Sequence, residues 1–168
     1  AGAGPPAGVW LAAEGVAHHS TINASVGIEL PNLPTFEPAF ASEVDWILCD
    51  ALEQLGRSDG TSSYLRLSTR PLDQAPFAAV LGRIGEDRLR AHVLAGGYVL
   101  REAPDDGRPG VTIVTTGVMA PEALAAAAEL DAEGVQASVV HLTSPDRVYR
   151  TWRAAFAQAT ATARVVRS

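Results

Sequence analysis

The stretch from Val111 to Leu142 constrains the fold more than any other part of this 168-residue chain. Val111–Thr115 is a β-branched run, Pro121 stands where a helix can begin, and Leu124, Ala127, Ala128 and Leu130 form a stripe that Gly134 ends. Gln136–Leu142 then resumes a strand-like pattern. Branched side chains favour the pleated conformation, and proline is tolerated in a helix's first turn because the N–H it lacks has no intrahelical acceptor there. Glycine takes the left-handed conformation that stops a helix. Strand, helix and strand in this order predict a βαβ unit, whose right-handed crossover makes the strands parallel neighbours covered by the helix.

Upstream, Ser42 is the expected N-cap of a helix with Glu43 and Asp45 in its first turn. Val44, Ile47, Leu48, Ala51, Leu52 and Leu55 recur at helical spacing until Gly56. Thr35–Glu37, between two prolines, and Tyr64–Leu67, running into Arg70–Pro71, read as short strands. Val9–Ala13 reads as a buried strand that opens into a loop carrying Glu14, His18 and His19, whereas Ala1–Gly8 has the composition of a linker. Pro71, Pro76, Gly82 and Gly85 among scattered charges predict an interdomain linker over 73–105, with a strand pair or bend around Gly96–Gly97. A last helix, about Pro145–Thr162, puts Val148, Trp152, Ala155 and Phe156 on one face. The fold class expected is α/β, with parallel-sheet layers and flanking helices in two pieces, 1–72 and 106–168, joined by that linker.

Thirteen basic residues against nineteen acidic ones leave a net charge of −6, so there is no broad cationic surface for nucleic acid or anionic lipid. With no apolar run long enough to span a bilayer and no signal peptide, the expected setting is cytoplasmic. All thirteen basic residues are arginines, which excludes Schiff-base, P-loop and Ser-Lys chemistry. Cys49 is the one cysteine, so neither an internal disulfide nor a multi-thiolate metal site can form.

The residues with chemical potential are few. Glu14 and His18 are four apart after a buried strand, where open α/β sheets collect ligands, and a carboxylate can fix an imidazole's tautomer for proton donation. His18 and His19 with Glu14 make a poor metal set, since neighbours in a chain seldom point at one ion. Ser20 lacks the Gly-x-Ser-x-Gly surroundings of an activated nucleophile. Arg66 and Arg70 could grip a carboxylate or phosphate through two parallel hydrogen bonds, or form surface ion pairs. Trp46 and Cys49 read as helix packing, and His92 and His141 as core or interface imidazoles in strands.

Ala13-Glu14-Gly15-Val16-Ala17-His18, Ile28–Asn32 and Glu37–Val44, followed by Ser63–Pro71 and Val111–Ser144, resemble in order and spacing the homodimeric bacterial pyruvate dehydrogenase decarboxylating component. These are transketolase-like, thiamine-diphosphate-dependent 2-oxo acid dehydrogenases. The resemblance covers nearly the whole chain. It implies the later part of a pyrimidine-binding domain over 1–72 and the beginning of a transketolase C-terminal-like domain over 106–168. It also implies catalytic roles for His18 and Glu14 and substrate contacts for His19 and Arg70. In the complete enzyme it implies thiamine diphosphate with Mg, a homodimer, and acyl transfer to a lipoyl-bearing acyltransferase. After His18 the chain reads His19-Ser20-Thr21, not the Glu-Asp-Gly-His-Ser-His type of loop, which leaves another 2-oxo acid open as substrate. The Gly-Asp-Gly motif that holds magnesium and diphosphate does not occur, so a diphosphate-binding domain or subunit is an expected partner and activity of this chain alone is not expected. Two other readings stay open: a non-catalytic assembly module, and a transketolase or synthase acting on sugar phosphates with Arg66 or Arg70 as the clamp.

Overall fold

A computed structural model describes residues 2–3, 30, 32–104 and 106–165, with side chains between Leu30 and Thr160. In chain order the elements are β1 (Gly2–Ala3), β2 (Thr35–Phe36), α1 (Ala41–Glu53), β3 (Tyr64–Leu65), α2 (Ala75–Ile84), α3 (Glu86–Ala95), β4 (Gly97–Arg101), β5 (Gly110–Thr116), α4 (Ala120–Ala132), β6 (Gln136–Leu142) and α5 (Pro145–Val165). One sheet is parallel, in the order β1-β3-β2, so Gly2–Ala3 is a strand where linker composition suggested none. The other has the order β4-β6-β5.

The βαβ expectation holds in detail. β5 and β6 are parallel from Gly110↔Gln136 to Thr116↔Leu142, with α4 between them in sequence. Pro121 lies in the first turn of α4, and Gly134 follows its end at φ 85°. β4 runs antiparallel to β6, pairing Gly97 with Leu142 and Tyr98 with His141.

The region 73–105 is regular, in contrast to its proline- and glycine-rich composition. Pro76 falls in the first turn of α2, where it costs no hydrogen bond, and Gly85 at φ 81° separates α2 from α3. Phe77 and Val80 on α2, and Leu89 and Val93 on α3, are buried, so each short helix has a core-facing side. His92–Glu102 is therefore not a strand pair but the end of α3 followed by β4. Gly96, at φ 122°, makes the bend, and a Cβ there would lie 2.8 Å from the Ser144 carbonyl oxygen.

α1 departs from its expected cap. It starts at Ala41 with Phe40 at the N-cap, and the Glu43 carboxylate turns back to accept the backbone N–H groups of Ala39 at 2.6 Å and Phe40 at 2.9 Å. Ser42 is exposed. The buried side of α1 is Glu43, Trp46, Ile47 and Ala51, while Leu48, Leu52 and, just beyond the helix, Leu55 face solvent. The leucines of the expected stripe are displaced because Trp46 occupies the core position, 5.5 Å from the Phe77 ring. Cys49 is likewise exposed, against the expectation of packing.

The sheets join end to end at one seam. Glu37 N–H donates to Thr143 O at 2.8 Å, Gly117 N–H to Glu37 O at 3.1 Å, and Ser144 Oγ to Thr35 O at 2.7 Å. Phe36, Phe40, Ile47, Leu89, Val93 and Val139 are among the side chains of one continuous core spanning both sheets. Each such burial stabilises by about 2 kcal/mol, so the two sheets fold as one packed body.

Candidate functional site

Strands β2 and β3 are parallel, and the chain leaving their C-terminal ends forms two walls, 38–41 and 67–74. Val118, in the single 3-10 turn after β5, adds a third. Together they enclose a cleft of about 410 Å³. Carboxyl ends of parallel strands are where α/β sheets leave a crevice for ligands, because the connections diverge there. Phe40, Val44, Leu67 and Val118 make the lining largely apolar, and Ser68, Arg70 and Gln74 supply its polar groups. Gln74 Oε1 accepts the Ala41 N–H at 2.9 Å, which ties the walls together.

Arg70, predicted to contact substrate, lies on this cleft. Its Nη1 donates to Glu122 Oε1 at 2.6 Å, and its backbone N–H donates to Ser68 Oγ at 3.2 Å. Both partners of the Arg70–Glu122 pair are about one-third exposed, at 29% and 36%. An anionic ligand entering the cleft therefore meets a positioned guanidinium that has a carboxylate to exchange. Arg66 is different. It is 4% exposed, pairs with Glu37 inside the seam and does not line the cleft; burial pushes its pKa down from the usual guanidinium value. Of the two arginines considered as clamps, the structure brings only Arg70 to the cavity. Glu14, His18 and His19 lie outside the described residues, as does Val9–Ala13.

Behind the Phe40 wall is a buried polar cluster that sequence reasoning missed. Glu43, fully buried, accepts the Tyr98 hydroxyl at 2.7 Å through Oε1, the oxygen that also lies 3.3 Å from His141 Nε2. Its other oxygen holds the amides of Ala39 and Phe40, so the carboxylate braces a cleft wall against the second sheet. Burial and the neighbouring Glu43 charge push the Tyr98 phenol well above its ordinary pKa, which keeps it a neutral donor. His141 is fully buried, with its ring edge-on to Phe40 and Tyr98 at centroid distances of 6.0 and 5.6 Å. The core role expected of His141 fits this position. His92 sits in the last turn of α3, not in a strand. Only the acidic first turn of α1 signalled Glu43, and that pattern usually marks an exposed carboxylate interacting with the helix dipole.

Among the described residues, no three His, Cys, Asp or Glu side chains come together in a way that could hold a metal ion. A magnesium diphosphate group does not fit the described residues, and no chemical step is assigned to them through it.

Comparison with known proteins narrows the assignment. Residues 99–167 match the family "Transketolase, C-terminal domain". Transketolase 2 of Vibrio vulnificus (strain CMCP6) is 31% identical over 131 residues, which are 76% of this chain and 17% of that protein. The 6-deoxy-6-sulfo-D-fructose transketolase subunit SqwH of Clostridium sp. (strain MSTE9) is 31% identical over 147 residues, 84% of this chain and 38% of that protein. The chain thus spans well under half the length of the curated relatives it matches. Among solved structures, a transketolase of Pichia stipitis superposes on 80% of this chain and 17% of its own, with TM-score 0.62 and 25% identity. A structure described as a split gene transketolase, inactive beta4 tetramer, covers 77% of this chain and 37% of its own, with TM-score 0.52 and 27% identity. The relatives are named transketolases, so the resemblance is supported at the level of transketolase-like enzymes and not at that of pyruvate dehydrogenase. The α/β fold of this chain is transketolase-like, and its residues 99–167 match the transketolase C-terminal domain.

Proposed function

We propose that this chain forms one substrate-facing wall of a thiamine-diphosphate-dependent enzyme that decarboxylates a small 2-oxo acid, pyruvate being the first candidate. One observation carries the choice of substrate: the cleft lining is mostly apolar, with a single guanidinium, Arg70, among its charged groups. A short 2-oxo acid presents an apolar tail and one carboxylate, which such a lining can satisfy. A sugar phosphate presents a row of hydroxyls that Phe40, Val44, Leu67 and Val118 would leave without partners, at a cost in affinity.

In this reading residues 1–72 belong to a pyrimidine-binding domain and 106–168 to the C-terminal domain, with 73–105 connecting them and its strand β4 already pairing into the C-terminal sheet. Arg70 binds the substrate carboxylate, and His19 is a second substrate contact. His18 donates a hydrogen bond or proton to the substrate's carbonyl oxygen, and Glu14 orients that imidazole. The cofactor's diphosphate and magnesium are held by a separate domain or subunit, the enzyme works as a homodimer, and the acyl group passes to a lipoyl-bearing acyltransferase. The name of the split gene transketolase lends support to a subunit arrangement of this kind.

A second reading, transfer between sugar phosphates with Arg70 as phosphate clamp, is favoured by the names of the relatives. Assay of the assembled enzyme separates the two. Release of carbon dioxide from 2-oxo acids, lost on His18→Ala, is expected; activity on sugar phosphates alone would overturn the 2-oxo acid reading. Calorimetry provides the test against a purely structural module. Thiamine diphosphate with magnesium should bind only after the matching diphosphate-domain polypeptide is added, and failure to restore binding would leave an assembly role.

A further inference from the structure

Helix α5 is anchored through its first two turns, the second by Arg150, whose Nη2 donates to Leu30 O at 2.7 Å. Asp146 Oδ1 accepts the Thr35 N–H at 3.2 Å and the Ser144 hydroxyl at 2.6 Å, and the Arg147 guanidinium lies 4.7 Å above the Phe36 ring. From Val148 to Thr160 every residue is exposed. A helix of that length is marginal in water without a surface to pack on. Its apolar side is organised, because Tyr149, Trp152 and Phe156 stack along one face with centroid spacings of 6.1 and 5.7 Å. Trp152 and Phe156 are 59% and 62% exposed. Arg150 and Arg153 flank this face, lining a shallow hollow with Tyr149.

The same molecule carries a matching surface elsewhere. On α1 and the turn after it, Leu48, Leu52 and Leu55 form an exposed apolar stripe, 43%, 57% and 69% accessible. It is flanked by the exposed acids Asp45 and Glu53, and Asp45 and Glu86 line the groove beside it. Charge follows the same division. Residues 145–168 carry five arginines and one acid, while residues 1–144 carry eight arginines and eighteen acids.

We propose that the aromatic face of α5 docks on the leucine stripe of α1 in a second copy of this chain. Apolar stripe meets apolar stripe, with Arg150 and Arg153 set against Asp45, Glu53 and Glu86. Two such contacts related by a two-fold axis close a dimer and cover both stripes at once. An α5–α5 pairing would bury the aromatics equally well but would bring arginines together with no acid opposite, and complementary charge selects against it. This inference names the surface for the self-assembly in the proposed function and rests on that reading only for the expectation of a homo-oligomer.

Sedimentation of the chain at micromolar concentration should show a dimer. Trp152→Glu and Leu52→Glu should each weaken association at least tenfold while leaving the cooperative unfolding of the core in place, since both positions are exposed. An equimolar mixture of the two variants should associate more tightly than either alone, because one intact α5–α1 contact survives in the mixed dimer. With Cys49 on α1 as the chain's one thiol, Trp152→Cys should give a disulfide-linked dimer under copper-phenanthroline oxidation, and the added change Cys49→Ser should abolish it. A monomer, or a dimer that neither substitution weakens, would overturn the proposal. Its failure is separable from failure of the enzymatic reading, which is decided by cofactor binding and turnover in the assembled enzyme.

Discussion

The seam between the sheets and the cleft beside it draw on the same two segments, 37–43 and 66–74, yet they balance charge in opposite ways. In the seam, Glu37 and Arg66 are sealed against each other, and Glu43 is surrounded by two amides and the Tyr98 hydroxyl. In the cleft, four residues along the chain from Arg66, Arg70 holds Glu122 at a partly exposed edge. Taking a charge out of water costs several kcal/mol, so the seam tolerates charge only where its partners are fixed by the fold. The cleft keeps its guanidinium near solvent, where exchanging one carboxylate for another costs little. Burial distinguishes a structural arginine from one able to meet a ligand.

The largest effects should come from breaking the seam. Glu43→Ala removes the acceptor for two backbone amides and a phenol at once, and urea unfolding should show a loss of about 3–5 kcal/mol. Arg66→Met leaves Glu37 buried without its cation and should cost about 3 kcal/mol. Adding Glu37→Gln should restore part of that loss; a double variant less stable than the single one would contradict the pairing. Tyr98→Phe deletes one donor to a charged acceptor, and the expected loss is about 1.5–3 kcal/mol.

Arg70→Met sharpens the contrast from the other side. Denaturant titration should find a change below about 0.5–1 kcal/mol, as for other exposed pairs, while the KM for a 2-oxo acid in the assembled enzyme should rise at least tenfold. A stability loss as large as that of Arg66→Met would erase the distinction between seam and cleft. The smallest effect belongs to an exposed pair far from both. Hydrogen bonds from Arg108 and Gln136 hold the Asp106 carboxyl at about 2, below its ordinary 3.8. A carboxyl depressed in the folded state stabilises above its unfolded pKa, and that contribution fades as pH falls from about 4 through about 2. NMR titration of Asp106 in the wild type and in Arg108→Ala should show the midpoint move upward in the variant.

The local features were legible in advance. The β5–α4–β6 unit follows from β-branched runs, a proline in a first turn and a glycine at a helix end, each acting on neighbours within a few residues. The helices at 75–95 were hidden because Pro76 and Gly85 carry the composition of a linker while serving as a helix start and a break between helices. Arg70 was legible as a candidate for a ligand contact from its place after a strand, and the fold puts it on the cleft. Its separation from Arg66 in role was not, because both arginines follow the same short strand and differ only in which carboxylate the fold brings near.

By itself the sequence determined the α/β class, the parallel pair β5–β6 and the position of a candidate cleft residue, since periodicity and turn chemistry are properties of short segments. Tertiary structure alone decided that Glu43 would be buried, that Tyr98, 55 positions away, would be its donor, and that Arg66 would be lost to the surface. The physical reason is range: backbone preferences act between neighbours in the chain, whereas the state of a charge depends on the groups that folding brings around it from distant positions.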